Sequence, residues 1–249
     1  MYYYILAPQK GKAYIRQEKI KDILGDLGIA GETVSPSPAR TIEELTHLGV
    51  IKGYSTIVAV GPEGLANKVI TVLASQKTAK NVVLGIIPDN FDSVIAQKIG
   101  VKDLYSACNA LKERRLETMD ICQIEPNKFF LTEAIVESFR NQEVYFSIDN
   151  LKGKVMVNRI VIKPGLEIFF HDKSLEGSTP SRFFRWLFGK KQVDIFSSNF
   201  RTKRVRLESQ NNLPVKVSGE IVAKMPVTIN NRSRILKIIV ARDKIKTKN

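Results

Sequence analysis

Residues 56–74, TIVAVGPEGLANKVITVLA, decide the fold. TIVAV (56–60) is a short apolar run rich in β-branched residues, the pattern of a strand buried on both faces. Gly61 and Pro62 interrupt it, and over 63–75 the apolar residues Leu65, Val69, Ile70, Val72 and Leu73 recur at helical spacing. A buried strand that feeds a helix through a glycine turn is the repeating unit of a parallel sheet covered by helices.

The same grammar runs in both directions, from residue 2 to about 100. YYYILA (2–7) reads as a first strand, Tyr14 to Leu27 as a helix stopped by Gly28, and a second strand is expected near 31–35. Thr41 stands three residues before Glu44, a capping-box pattern that opens a helix to about His47 or Leu48. VVLGIIP (82–88) is the next strand, and Asp92 to Ile99 is a helix closed by Gly100. After about residue 112, alternation of β-branched and aromatic residues takes over, in runs such as TMDICQI, EVYFSI, KVMVNRIVIK, RVRLES and ILKIIVAR. The expected fold is α/β + β: an N-terminal Rossmann-like parallel-sheet domain over 1–112, then a C-terminal β-sandwich-like domain over 113–249.

Composition narrows the function. With 43% apolar and 26% charged residues among 249, the chain can bury a core, which excludes collagen-like and bulk-disordered classes. Two cysteines and two histidines supply neither a disulfide framework nor a thiol–imidazole metal cluster. No apolar run is long enough to span a bilayer, and MYYYILAPQKGK lacks the features of a leader, so a cytoplasmic protein is expected. The net charge of +14 is uneven: residues 173–249 hold 18 basic against 5 acidic residues, which is +13 of it. Such a field attracts polyanions, whether an acidic lipid surface or nucleic acid. RFFRWLFGKK (182–191) interleaves Phe183, Phe184, Trp186 and Phe188 with Arg182 and Arg185, as in segments that lie in a bilayer interface. The alternative for this segment is an ordinary helix packed on the strand-rich domain. Arg204, Arg206 and Glu208 in RVRLE fall on one face of a strand, the usual pattern of a solvated face.

In an α/β sheet, ligands bind beyond the carboxyl ends of the strands, which directs attention to the segments after residues 7, 60 and 88. GPEGLANKV is neither GxGxxG nor GxxxxGK[ST], so neither a dinucleotide fingerprint nor a P-loop is present. The run 56–74 does resemble the strand, glycine loop and helix of the diacylglycerol kinase catalytic family, which read V-x-V-G-G-D-G-T-x-N-E-V. Gly61, Gly64, Asn67 and Val69 match, whereas Pro62, Glu63, Leu65 and Lys68 replace Gly, Asp, Thr and Glu. ILAPQKGK resembles that family's opening N-P-x-x-G turn, with Pro8 and Gly11 in place and Ala7 at the asparagine. LGIIPDNFDSVIAQKIG resembles L-G-I-I-P-x-G-T-x-N-D-F-A-R-x-L-G, keeping Pro88, Ala96 and Gly100. MDICQI, with Asp120, is similar to the family's V-D-L-G strand. LPVKVSGE resembles its V-x-V-D-G-E segment, with Ser218 at the aspartate and Gly219 and Glu220 retained.

The resemblance implies a nucleotide-side domain and a lipid-side domain, with ATP-dependent phosphoryl transfer to a lipid hydroxyl. It also implies ATP and Mg²⁺ as cofactors and a peripheral position at the inner face of the membrane. Pro8, Gly11, Gly61, Gly64 and Asn67 become candidate nucleotide contacts, Glu63 the candidate Mg²⁺ ligand, and Glu220 the candidate proton acceptor. Arg182, Phe183, Phe184, Arg185, Trp186 and Phe188 become the candidate membrane surface. The departures fall on groups that would touch phosphate and metal. Pro62 removes a backbone N–H, Leu65 has no hydroxyl, Phe91 and Val94 add apolar bulk, and Ser218 has no carboxylate. Reduced or absent kinase activity is the expectation: a lipid kinase with Glu63 holding Mg²⁺ if activity survives, a lipid-binding pseudokinase on the same scaffold if it does not. A basic nucleic-acid-binding or scaffolding module without catalysis is the alternative.

Overall fold

The computed structural model describes residues 1–8, 12–76, 79, 81–149, 151–171 and 197–242. Its elements run β1 (Tyr2–Leu6), α1 (Lys12–Asp26), β2 (Glu32–Val34), α2 (Ile42–Ile51), β3 (Thr56–Gly61), α3 (Glu63–Ser75), β4 (Val83–Pro88), α4 (Val94–Ile99) and α5 (Leu104–Glu113). Strands follow: β5 (Arg115–Ile124), β6 (Lys128–Phe130), β7 (Ala134–Ile148), β8 (Leu151–Lys163), β9 (Glu167–His171), β10 (Ser197–Arg201), β11 (Arg204–Glu208), β12 (Pro214–Val217), β13 (Glu220–Lys224) and β14 (Val227–Val240). The change of grammar at 112 falls at the end of α5. By contacts the chain divides into one unit of Met1–Ile121, Phe129–Thr132 and the residues from Arg232 on, and a second of Cys122–Lys128 and Glu133–Asn231.

The first unit is built on a parallel sheet. β1 pairs with β2 on one side and β3 on the other, β3 pairs with β4, and Ile238 of β14 pairs with Leu84 of β4, every pair parallel. Central strands of such a sheet are covered on both faces, and all six residues of β4 are buried. Thr41 caps α2 through the Glu44 N–H, with the Glu44 carboxylate returning to the Thr41 N–H, as the spacing predicts; the helix runs on to Ile51, past the expected end. Helix α4 begins at Val94, because Ser93 is its N-cap. Helix α5, which the sequence reading passed over, is opened by a capping box of Asp103 with Ser106 and buries Ala107, Cys108, Ala110 and Leu111.

The second unit is strand-rich and antiparallel, as the alternation predicts. β10, β9, β8, β7 and β11 pair in that order, and β11 continues onto residues 227–230 of β14. The β12–β13 hairpin pairs with Ala134–Val136 of β7. The register of β7 on β8 shifts between Glu137 and Gln142, so one long strand serves two sets of neighbours. Ile160, Ile162, Ile168 and Phe170 point into the packed face, and β11 alternates exposed Arg204, Arg206 and Glu208 with buried Val205 and Leu207.

Candidate active-site loops at the carboxyl edge of the parallel sheet

Strand order β2-β1-β3-β4 sends the chain to opposite sides of β1, and the β1/β3 border is where an open α/β sheet leaves a crevice for ligands. The loops after β1, β3 and β4 meet there. The Ala7 N–H donates to the Val60 carbonyl at 2.9 Å, and the Asp89 N–H donates to the Gly61 carbonyl at 3.1 Å. Gly61 has φ +145°, and a Cβ on it would stand 2.7 Å from the Ala7 Cβ, so only glycine suits this position. Backbone sterics are thus enough to require the glycine found in the sequence.

Helix α3 starts beside it. Pro62 is the N-cap, gives no side-chain cap, and has no N–H. Glu63 follows, and its Oε1 accepts the Ile95 N–H of α4 at 2.9 Å. Ser93 Oγ accepts the Ala96 N–H at 3.2 Å, so side chains take two of the donors that α4 leaves without intrahelical partners. Gly64 is the second residue of α3, and Leu65 is buried. Asn67 is 6% exposed; its Oδ1 accepts the Leu131 N–H at 3.1 Å and its Nδ2 donates to Thr132 Oγ1 at 3.2 Å. Thr71, one turn on, accepts the Phe129 N–H at 3.1 Å. Asn67 therefore holds the 129–132 segment on α3.

Two further residues come from α1. Gln17 is buried and donates through Nε2 to the Ala7 carbonyl at 2.9 Å. Arg16 donates through Nη1 to the Asp89 carbonyl at 2.5 Å and through Nη2 to the Pro88 carbonyl at 2.7 Å, and its guanidinium lies 5.2 Å from the Phe91 ring centre. Sequence reasoning missed both. Gln17 left a trace, a polar residue in the stripe continued by Ile20 and Leu24. The three loops are cross-tied by Gln17, Arg16 and Glu63.

Among the remaining candidates, Pro8 is exposed. Gly11 and the whole stretch Arg182–Phe188 lie outside the described residues. Ser218 and Gly219, with φ +50° and +82°, form the turn between β12 and β13, and Glu220 opens β13 on an exposed position opposite Val217. Asp120 Oδ1 accepts the Arg234 N–H at 2.9 Å.

A Mg²⁺-bound triphosphate asks a strand–helix turn for free backbone N–H groups, a hydroxyl donor and a carboxylate with room for a hydrated ion. Here Pro62 supplies no N–H, Leu65 no hydroxyl, and the Glu63 carboxylate faces the α4 backbone. The residues at this edge do not fit that group.

Residues 3–124 match the model of the diacylglycerol kinase catalytic domain. That segment belongs to the diacylglycerol kinase catalytic-domain family. The fold agrees over nearly the whole chain. Solved structures from Bacillus anthracis str. Sterne, named as diacylglycerol kinases, two of them only provisionally, superpose with TM-scores of 0.80, 0.76 and 0.74 at 14% identity. The first covers 98% of each chain and the other two 97%. No curated protein sequence matches. The chain is thus lipid-kinase-like, with the two-part architecture of those structures. Among the described residues no helix is long and apolar enough to cross a membrane.

Proposed function

We propose that this diacylglycerol-kinase-like protein binds a lipid without phosphorylating it: a pseudokinase whose nucleotide-side loops have become structural. The observation that carries the reading is the hydrogen bond from the Ile95 N–H to the Glu63 carboxylate. It gives the candidate metal ligand a partner in the fold. Arg16 extends the argument, because it binds the carbonyls of Pro88 and Asp89 and so ties the loop after β4 to α1. The lipid side of the reading rests on the family, which implies a lipid substrate, and on the positive charge of the last third of the chain.

Purified protein supplied with Mg²⁺-ATP and vesicles containing diacylglycerol should transfer no γ-phosphate above the protein-free background, while still sedimenting with the vesicles. Turnover at a rate typical of kinases, on the order of 1 per second or faster, refutes the reading. Glu63→Ala serves as the control for role. As a structural residue it lowers stability by roughly 1–3 kcal/mol, because the Ile95 N–H loses a charged acceptor. As a metal ligand it would alter ATP binding with little change in stability.

A further inference from the structure

The second unit carries a hollow of about 340 Å³, lined by Asn158, Arg159, Val161, Lys163, Phe169 and His171 of β8 and β9. Register brings its walls together, since Arg159 pairs with His171 and Val161 with Phe169, on the face opposite buried Ile160, Ile162, Ile168 and Phe170. Lys163 Nζ lies 4.9 Å from the Phe169 ring centre, and the His171 ring stacks along Phe169 at 6.5 Å with an interplanar angle of 14°. Among the described residues neither Lys163 nor His171 has an ion-pair partner. Arg159 Nε lies 3.4 Å from Glu137 Oε1, close enough for an ion pair, but the alignment leaves it without a hydrogen bond. A buried polar atom without a partner is uncommon and calls for a reason.

The basic side chains of Arg159, Lys163 and His171 select an anion, and oxygen-rich phosphate is the anion that several N–H donors hold at once. Val161 and the Phe169 ring offer apolar surface to a short carbon skeleton attached to it. Glu133, also in the lining, sets a limit, since it repels a ligand that is anionic throughout and favours one with hydroxyls on that side.

We propose that this hollow binds the phosphate ester of a polyol, with Arg159, Lys163 and His171 holding the phosphate and Val161 and Phe169 meeting its carbon skeleton. The ligand is a soluble polyol phosphate or the headgroup of a phospholipid such as phosphatidylglycerol. Nothing in the proposal depends on whether the parallel-sheet edge binds nucleotide.

Calorimetric titration of the full chain with glycerol 3-phosphate, inorganic phosphate and glycerol separates the terms. Sedimentation with neutral vesicles carrying phosphatidylglycerol, or phosphatidylserine at equal charge, separates the sources. Glycerol 3-phosphate should bind more tightly than phosphate, and glycerol not at all. Lys163→Glu should weaken glycerol 3-phosphate about tenfold or more. His171→Ala on the same open face is the second variant, with a loss in the same direction as Lys163→Glu. Lys163-dependent binding of the soluble ester alone identifies a free metabolite class; a Lys163-dependent preference for phosphatidylglycerol over phosphatidylserine vesicles identifies the headgroup. Absence of saturable binding to both, or binding indifferent to Lys163→Glu, overturns the proposal.

Discussion

The amide of Asn67 joins α3 to the 129–132 segment, and its removal has a defined cost. Asn67→Ala leaves the Leu131 N–H buried with no acceptor, which destabilises by about 1–3 kcal/mol and should appear as a lower urea midpoint at unchanged slope. Cys108 makes a second prediction. Burial pushes its thiol up to about 11 from an ordinary value of 9.0. Between those values the folded chain holds a proton that the unfolded chain releases, so stability is fully present below about pH 9 and declines as pH rises through the window. Urea midpoints measured at about pH 8 and about pH 10 should differ more for the wild type than for Cys108→Ala, whose unfolding has no thiol to ionise. Asn67 also shows the limit of motif reading. Its type and place match a family pattern, but only the packing of a segment more than sixty positions along the chain reveals what its amide bonds to.

At the scale of elements, the apolar periods disclosed β1, β3, β4 and α3, because each buries a face through local sequence alone. Helix α5 was harder to read. It is short, and its cap is Asp103 with Ser106 where a Glu or Gln would be the stronger sign. It docks through a close approach: a Cβ on Gly85 of β4 would stand 2.5 Å from Leu111 Cδ2 and 3.1 Å from Val58 Cγ2. Gly85→Ala should therefore destabilise by about 1–3 kcal/mol through overpacking, and by less in a Leu111→Ala background, as a double-mutant cycle would record. β14 begins at Val227, well before the run ILKIIVAR, and nothing local says that the charged stretch before that run continues one strand. Its first residues pair with β11 within the second unit, whereas Ile238 and Leu84 pair within the first, a long-range pairing that periodicity does not encode.

At the scale of the whole molecule, the two-part architecture was legible because the period of the apolar pattern changes from helical to alternating along the chain, and the solved structures share it at 14% identity. Sterics set the backbone at Gly61 and in the buried strands, and such constraints leave many side chains free to differ. What the sequence did not disclose is that Arg16, Gln17 and Glu63 tie the three loops to one another, since each partner is a backbone group whose position only the fold defines. The central claim is that these ties replace a grip on a nucleotide. Calorimetric titration of the full chain with ATP in the presence of Mg²⁺ tests it most directly. The account predicts no saturable heat up to a ligand concentration on the order of 1 mM, above the range of ordinary enzyme–substrate affinities. A Mg²⁺-dependent isotherm with a Kd in the micromolar range, weakened by Glu63→Ala without loss of fold, would contradict it.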